Sequence, residues 1–365
     1  MKNHSLYDQL QVLEPQEKEL DTRERLKAME RPLLSWYKEH ARALPWRDRP
    51  EPYRVWISEI MLQQTRVEAV KPYFERFMEA LPGIKDLAAV PEDRLLKLWE
   101  GLGYYSRAKN LKKTAELLVE QQVGELPASY EELKKLPGIG SYTAGAIASI
   151  AFGIPVPAVD GNVLRVVSRV TGSKEDILKQ SVKRRMEEDL KAVMPELEAS
   201  FYNQGLIEIG AIVCVPNGSP LCGQCPLASI CIARIKGLTG EIPVKTPKKA
   251  RRAEDKTVML LWQDGRIAIR KRDDTGLLAS LYEFPNVEGH LDEDALLARL
   301  GVEDAKITPL PAAKHVFSHV EWHMIGFRIE LGERPNGDFL WVTAEDLEKT
   351  YSLPGAFKSY TKLIR

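Results

Sequence analysis

Four cysteines fall within eighteen residues, Cys214, Cys222, Cys225 and Cys231, spaced C-x7-C-x2-C-x5-C, and no cysteine occurs elsewhere. Sulfur so confined is either a ligand set or a set of staples. A chain of 365 residues has material enough for a core and does not need disulfides in one short segment. Structural zinc usually takes paired C-x2–4-C knuckles, and only Cys222 and Cys225 make one. A compact loop of four thiolates with unequal gaps suits an iron–sulfur cluster, and [4Fe–4S] is the first expectation. Zinc and disulfides stay open at this point.

Upstream, Leu136-Pro137-Gly138-Ile139-Gly140 lies between two helical segments. Two glycines two apart allow positive φ, so backbone N–H groups can converge on an anion such as a DNA phosphate. An ordinary connection between helices would read the same way. Asp160 follows, in Val159-Asp160-Gly161-Asn162-Val163, at the N-cap position of the next helix. A carboxylate at a helix N-terminus has its anionic form favoured. Asp160 is therefore expected to be ionised at neutral pH and able to oppose a developing positive charge.

The hairpin turn, the aspartate and the four-cysteine loop together resemble the helix-hairpin-helix DNA glycosylases related to endonuclease III, over roughly residues 32–237. In that superfamily bifunctional members place a Schiff-base lysine two residues after the turn, where this chain has Tyr142. The chain is accordingly similar to the MutY-type adenine glycosylases. Leu44-Pro45-Trp46-Arg47, Glu59-Ile60-Met61-Leu62-Gln63-Gln64-Thr65 and Asp160-Gly161-Asn162 resemble the signatures of that family. The family's first cysteine gap is usually six residues, and here it is seven.

The resemblance implies removal of adenine opposite 8-oxoguanine, with A:G as a further substrate. The base is flipped out of the duplex and its N-glycosidic bond hydrolysed, with no lyase step. Glycoside chemistry wants one carboxyl group protonated and one ionised. Glu59 sits among Val55, Trp56, Ile57, Ile60, Met61 and Leu62. If it faces inward, burial makes it a proton donor; otherwise it is a solvated helix glutamate. By resemblance Glu59 protonates adenine N7 and Asp160 stabilises or traps the sugar, with Tyr142 and Asn162 hydrogen-bonding around Asp160. Arg42, Leu44, Trp46, Arg47 and Gln204 match the adenine pocket, and Gln64 and Tyr104 match the residues that wedge into the duplex. The implied phosphate-binding hairpin is Leu136, Gly138 and Gly140. A bifunctional glycosylase/lyase and a non-catalytic lesion-binding module are the competing readings.

The elements that must position these residues follow from periodicity. Apolar residues three and four apart mark helices over 53–64, 71–78, 93–99, 107–121, 129–136 and 176–194. The uncharged stretch 136–159 is broken by Pro137, Pro155, Pro157 and several glycines. A buried helix of about three turns is expected there rather than a membrane span. Lys245, Lys248, Lys249, Arg251 and Arg252 mark a basic linker. Beyond it the period becomes two, with strands at 257–262 and 266–270 around an Asp264-Gly265 turn and at 325–331. A capping box at Thr343 and Asp346 opens a late helix.

The expected architecture is multidomain. A polar N-terminal extension (1–31) precedes an all-α helix-hairpin-helix domain (32–237) with its iron–sulfur loop (214–231). A basic linker (238–254) leads to an α+β domain (255–365). Gly276-Leu277-Leu278 and Glu283-Phe284-Pro285 in that last part resemble the Nudix/MutT-like fold. The stretch 291–300 has Asp292, Glu293 and Asp294 but not the acidic array of a Nudix hydrolase. Phe317-Ser318-His319 resembles the motif that contacts 8-oxoguanine.

Composition excludes little: 44% hydrophobic and 28% charged residues are ordinary for a globular protein. Formal net charge is zero, so DNA binding must rest on local patches. Residues 1–30 have no signal-peptide core. The expectation is a cytoplasmic, nucleoid-associated monomer acting on double-stranded DNA that contains A:8-oxoG.

Overall fold

The computed structural model describes residues 20–247, 250–302 and 305–364. Most of the polar extension, and Lys248 and Lys249 of the linker, lie outside the described residues. The helical part runs α1 (Thr22–Ala28), α2 (Glu30–His40), α3 (Pro52–Leu62), α4 (Val67–Ala80), α5 (Ile84–Ala89), α6 (Glu92–Leu98), α7 (Ser106–Glu120), α8 (Tyr130–Leu133), α9 (Ser141–Phe152), α10 (Gly161–Thr171), α11 (Gln180–Lys191), α12 (Ala199–Ile212) and α13 (Ile232–Ile235). The C-terminal part runs β1 (Arg252–Gln263), β2 (Arg266–Lys271), β3 (Tyr282–Glu283), β4 (Asn286–Glu288), α14 (Glu293–Leu300), β5 (Ala305–Val316), β6 (Val320–Leu331), β7 (Leu340–Val342), α15 (Ala344–Lys349) and α16 (Lys358–Thr361). The chain divides into two compact units, Met1–Ala41 with Gly153–Lys245, and Arg42–Phe152 with Thr246–Arg365. Among the described residues no helix is long and apolar enough to cross a membrane.

The first unit is built around α10. Its sequence alternates Val163, Val166, Val167 and Val170 with polar residues, and these valines are buried in the core where α10 packs on α12, α13 and α1. Side chains three and four apart share a helix face, which is why this run makes a core stripe. α1 departs from the polar extension expected for residues 1–31. Asp21 and Glu24 form a reciprocal capping box, and Leu26 and Met29 are fully buried in the same core. Two apolar residues are too few to show a period, so the helix is invisible to pattern.

In the second unit α3 begins with Pro52 in its first turn, where the missing N–H costs nothing. It packs on α4 and α9. α9 is the expected buried helix: twelve residues, rich in alanine and glycine, with 143–149 all buried. The C-terminal sheet has the order β3-β2-β1-β6-β5, with β1 and β6 parallel over Arg252↔Val320 to Trp262↔Glu330. Arg252, assigned to the linker by its charge, therefore belongs to the strand. Asp264 and Gly265 both take positive φ in the β1–β2 turn, as a tight hairpin requires. One sheet face buries Leu260, Ile269, Phe284, Trp322 and Phe357, and the other buries Leu261, Leu296 and Ile329. Asp292 caps α14 through the Ala295 N–H, and Glu293 and Asp294 sit exposed in its first turn. The Thr343–Asp346 capping box is present.

The sheet domain docks on α6 and the residues after it, within the same unit. Lys97 Nζ donates to the carbonyls of Leu347 and Tyr351, at 3.3 and 3.0 Å. Glu100 accepts from the Leu353 N–H at 2.7 Å and from Lys97 at 2.7 Å. Asp93 accepts from Lys271 at 2.8 Å and from the Tyr282 hydroxyl at 3.1 Å.

Candidate active site

Each unit carries one of the two carboxylates. Glu59 lies in α3 with only 6% of its surface exposed, so the solvated alternative does not hold. The Tyr142 hydroxyl, from the first turn of α9, donates to Glu59 Oε2 at 2.6 Å. Within this unit the hydroxyl thus serves Glu59. The reason is local, since α9 packs directly on α3. Gln63 at the end of α3 also reaches Thr143 of α9, at 3.4 Å.

Asp160 caps α10 as expected. Its Oδ1 accepts from the N–H groups of Asn162 and Val163 at 2.8 Å each, and its Oδ2 accepts from Asn162 Nδ2 at 2.7 Å. Burial acts against the anion that the helix start favours. Burial pushes the Asp160 carboxyl above the ordinary aspartate value. The bonds from Val163 and Asn162, and the Arg165 charge, pull the other way without cancelling it. A helix start seen in sequence reveals the donors but not the depth at which they sit.

Arg165, not singled out from sequence, ties this corner together. Its guanidinium donates to Asn162 Oδ1 at 2.9 Å, to the Gly210 carbonyl at 2.7 Å and to the Cys214 carbonyl at 2.7 Å. Arg169, one turn on, donates to Cys214 Sγ at 3.2 Å and to the carbonyls of Ile242 and Thr239. Two arginines four apart within a valine-rich helix were the available signal. Asn203 bonds Ala158 N–H and Val156 O, fixing the segment that leads into Asp160.

The four cysteines are unpaired and line one cavity with Val166, Val170, Ile209, Val213 and Leu227. Its empty space, open mouth included, is about 390 Å³. Burial pushes the Cys225 thiol up to about 12, and the other three cysteines act in the same direction. Four unpaired sulfurs on one apolar wall have the donor chemistry of a thiolate-bound centre, but among the described residues no group of three or more His, Cys, Asp or Glu side chains is placed to hold a metal ion. The four sulfurs do not fit disulfide staples. The seven-residue gap is taken up by a loop in which Gly218 has φ of +76° and the Leu221 N–H returns to the Val213 carbonyl at 2.9 Å.

The hairpin of residues 136–140 is formed, with one correction. Gly138 alone takes positive φ, +75°. Gly140 does not, because its carbonyl already accepts from Ala144 and begins α9. A Cβ on Gly138 would stand 2.7 Å from Asn110 Cβ, so no larger residue fits this turn. Both glycines are exposed, and Leu136 is half-buried.

Gln64 and Tyr104 are exposed and both have left-handed backbones, with φ of +56° and +47°. Tyr104 keeps 46% of its surface in solvent, which removes the alternative of a packed aromatic. Of the residues matched to an adenine pocket, Leu44 and Trp46 are buried, and the Trp46 ring meets Phe74 edge-on at 5.4 Å. Arg47 donates to the Arg42 carbonyl at 3.0 Å. Gln204 accepts from the Tyr37 hydroxyl at 2.9 Å and donates to Ser200 at 3.1 Å.

Phe317 is half-buried. Its N–H closes a turn on the Val320 carbonyl, and its ring packs against Trp322 and His315 at 5.0 and 4.5 Å. Ser318 and His319 at the tip of that turn are exposed.

Residues 57–192 match the HhH-GPD superfamily of base excision DNA repair proteins, and residues 257–363 match a NUDIX domain. Fold and site together define a helix-hairpin-helix base excision repair protein with an appended Nudix-like sheet domain. Among solved structures, a thermostable thymine-DNA glycosylase is similar at 27% identity and a TM-score of 0.53, covering 59% of this chain and 99% of that one. An endonuclease III trapped as a covalent intermediate on DNA is similar at 28% and 0.52, covering 60% and 100%. The adenine DNA glycosylase of Buchnera aphidicola subsp. Baizongia pistaciae is 37% identical over 290 residues, 79% of this chain and 82% of that protein. The human adenine DNA glycosylase is 35% identical over 371 residues, 83% and 67%. The chain belongs to the adenine DNA glycosylase family.

Proposed function

We propose that this protein removes adenine lying opposite 8-oxoguanine in duplex DNA, and more slowly opposite guanine, as a monomeric, monofunctional glycosylase of the cytoplasm. The observation that carries this reading is the buried Glu59 bonded at 2.6 Å by Tyr142. With the tyrosine O–H committed to Oε2, the proton to be transferred resides on Oε1 and can pass to N7 of the leaving base. Tyr142 stands where the bifunctional relatives carry lysine, and a phenol forms no Schiff base. Asp160, held by three donated hydrogen bonds, supplies the anion that opposes or captures the oxocarbenium-like sugar. The hairpin at Gly138 would hold a phosphate, and Gln64 and Tyr104 would fill the gap left by the flipped base. Arg42, Leu44, Trp46, Arg47 and Gln204 would shape the adenine pocket. Ser318 and His319 would read the opposite base from the turn that Phe317 anchors.

Cys214, Cys222, Cys225 and Cys231 would hold a [4Fe–4S] cluster. The cluster would supply cross-links that fix loop 214–231 and a redox-active group. Protein purified without oxygen should contain about four irons per chain and a broad visible absorption. Stoichiometric zinc instead would show that the longer first gap has changed the site.

The test of the activity is incubation with labelled duplexes bearing A:8-oxoG, A:G, A:C or T:8-oxoG. Adenine release from the first, with strand scission only after alkali, is expected. Scission at neutral pH with a borohydride-trapped adduct overturns the monofunctional reading, and equal rates on A:8-oxoG and A:C overturn the lesion preference.

A further inference from the structure

Arg107 follows Tyr104 by three residues, at the start of α7, and is 7% exposed. Its Nη1 donates to the carbonyls of Ile60, Met61 and Gln63, at 2.7, 2.9 and 2.8 Å. Those are carbonyls of the last turn of α3 and of its C-cap residue Gln63, a place where helix carbonyls run out of intrahelical partners. Its Nη2 donates to the carbonyls of Leu102 and Gly103, at 3.1 and 3.0 Å. The planar guanidinium thus joins the α3 terminus to the turn before Tyr104. The faces of Trp99 and Tyr104 lie 5.3 and 5.7 Å from it. Burial lowers its pKa to about 10, so it stays cationic at neutral pH.

Each of the two segments it joins ends in a residue with left-handed backbone. Gln64 directly follows the carbonyl of Gln63, and Tyr104 directly follows that of Gly103. Left-handed backbone at a residue other than glycine persists only where the surroundings impose it. We propose that Arg107 is a positioning residue for base extrusion: one buried guanidinium fixes the separation and backbone of Gln64 and Tyr104, so that both enter the duplex together. The proposal rests on the reading of those two residues as the wedge. A wedge assembled before binding spends no binding energy on its own ordering, which goes instead into separating the stacked bases. Lysine cannot replace the arginine, because a point charge cannot bridge five carbonyls in two segments.

The experiment compares single-turnover adenine release from a fully paired A:8-oxoG duplex and from the same strand with the target adenine in an unpaired bubble. Arg107→Lys should lose about a hundredfold on the paired duplex and less than about tenfold on the bubble, where little unstacking remains to be done. Gln64→Ala with Tyr104→Ala should show the same split. A double variant without the split removes the wedge reading itself. A double variant with the split and an Arg107→Lys enzyme without it overturns the role of Arg107 alone. Equal loss on both substrates from folded Arg107→Lys also overturns it, since damage to the fold or to the chemistry spares neither. Hydrogen exchange on the unaltered protein gives a check free of substitution. Peptides covering 60–66 and 101–107 should open together, and protection differing by more than about tenfold contradicts the staple.

Discussion

Asp160 shows how two effects on one carboxylate are weighed. Three hydrogen bonds favour its anion, yet burial prevails and its pKa lies above the ordinary value. A carboxyl raised on folding contributes stability below its unfolded pKa and loses it as pH rises through the folded one. Ionising Asp160 therefore works against the stability of the fold, a cost that burial imposes on the anion. With the anion as the proposed acting form, base release should decline on the acid side at a pH above that of an exposed aspartate. Asn162→Ala removes one bond to the anion, so the pKa rises further. The loss of rate should be larger at about pH 5.5 than at about pH 8. A uniform loss across pH would mean that Asn162 orients the group without tuning it. Glu59→Gln should abolish release while duplex binding stays within about tenfold, because only the proton is lost; retained single-turnover excision would take Glu59 out of its role. Both carboxylates were singled out in the sequence, Asp160 from its helix-start position and Glu59 through the family resemblance, since its neighbours alone left a solvated helix glutamate open. Arg107, Arg165 and Arg169 were not, because a buried arginine is defined by its acceptors, and three of those of Arg107 lie more than forty residues away at the end of α3.

At the scale of elements, helices with a clear apolar stripe were legible to within a few residues, and short ones stabilised by caps, such as α1, were not. What pattern cannot supply is where two helices touch. The start of α10 and the end of α12 meet at Gly210, where a Cβ would lie 2.5 Å from Asn162 Cβ and 3.1 Å from its Cα. Asn162 in turn holds Asp160 at 2.7 Å. Gly210→Ala must push the first turn of α10 outward, a strain of about 1–3 kcal/mol by analogy with overpacked cores. The thermal midpoint should drop by several degrees. Adenine release should fall by about tenfold or more even at temperatures where the variant is fully folded, because displacement of a catalytic group by a fraction of an ångström is costly. Ile232 offers a control: it packs in the same unit against Gly172, away from Asp160, so Ile232→Ala should lower the midpoint and leave the rate of the folded enzyme nearly unchanged. If Gly210→Ala matches wild type in rate, the close approach of α12 does not position Asp160.

At the scale of the whole molecule, sequence showed two parts from the switch of period near residue 255, but not that the second part grips the first. Lys97, Glu100 and Asp93 spend their hydrogen bonds on the sheet domain, and the segment after Glu100 runs directly into Gly101, Leu102, Gly103 and Tyr104. Deleting residues after about Pro243 therefore does more than remove the proposed reader of the opposite base. It strips partners from α6 beside the wedge, so the truncated chain should lose both lesion preference and rate on paired duplexes. Point variants separate the two effects. Ser318→Ala with His319→Ala removes the exposed tip of one turn and leaves the Phe317–Trp322 packing that anchors it. Without those side chains the tip forgoes one or two base-edge hydrogen bonds, worth about 1–3 kcal/mol of discrimination each. Preference for A:8-oxoG over A:G should fall by about one to three orders of magnitude, with the A:G rate within about threefold of wild type. Lys97→Ala with Glu100→Ala should do the reverse, slowing both duplexes in similar proportion while the ratio holds. If the tip variant leaves the preference unchanged, the base opposite adenine is read by the helical part, and the sheet domain serves the enzyme chiefly as a brace for α6.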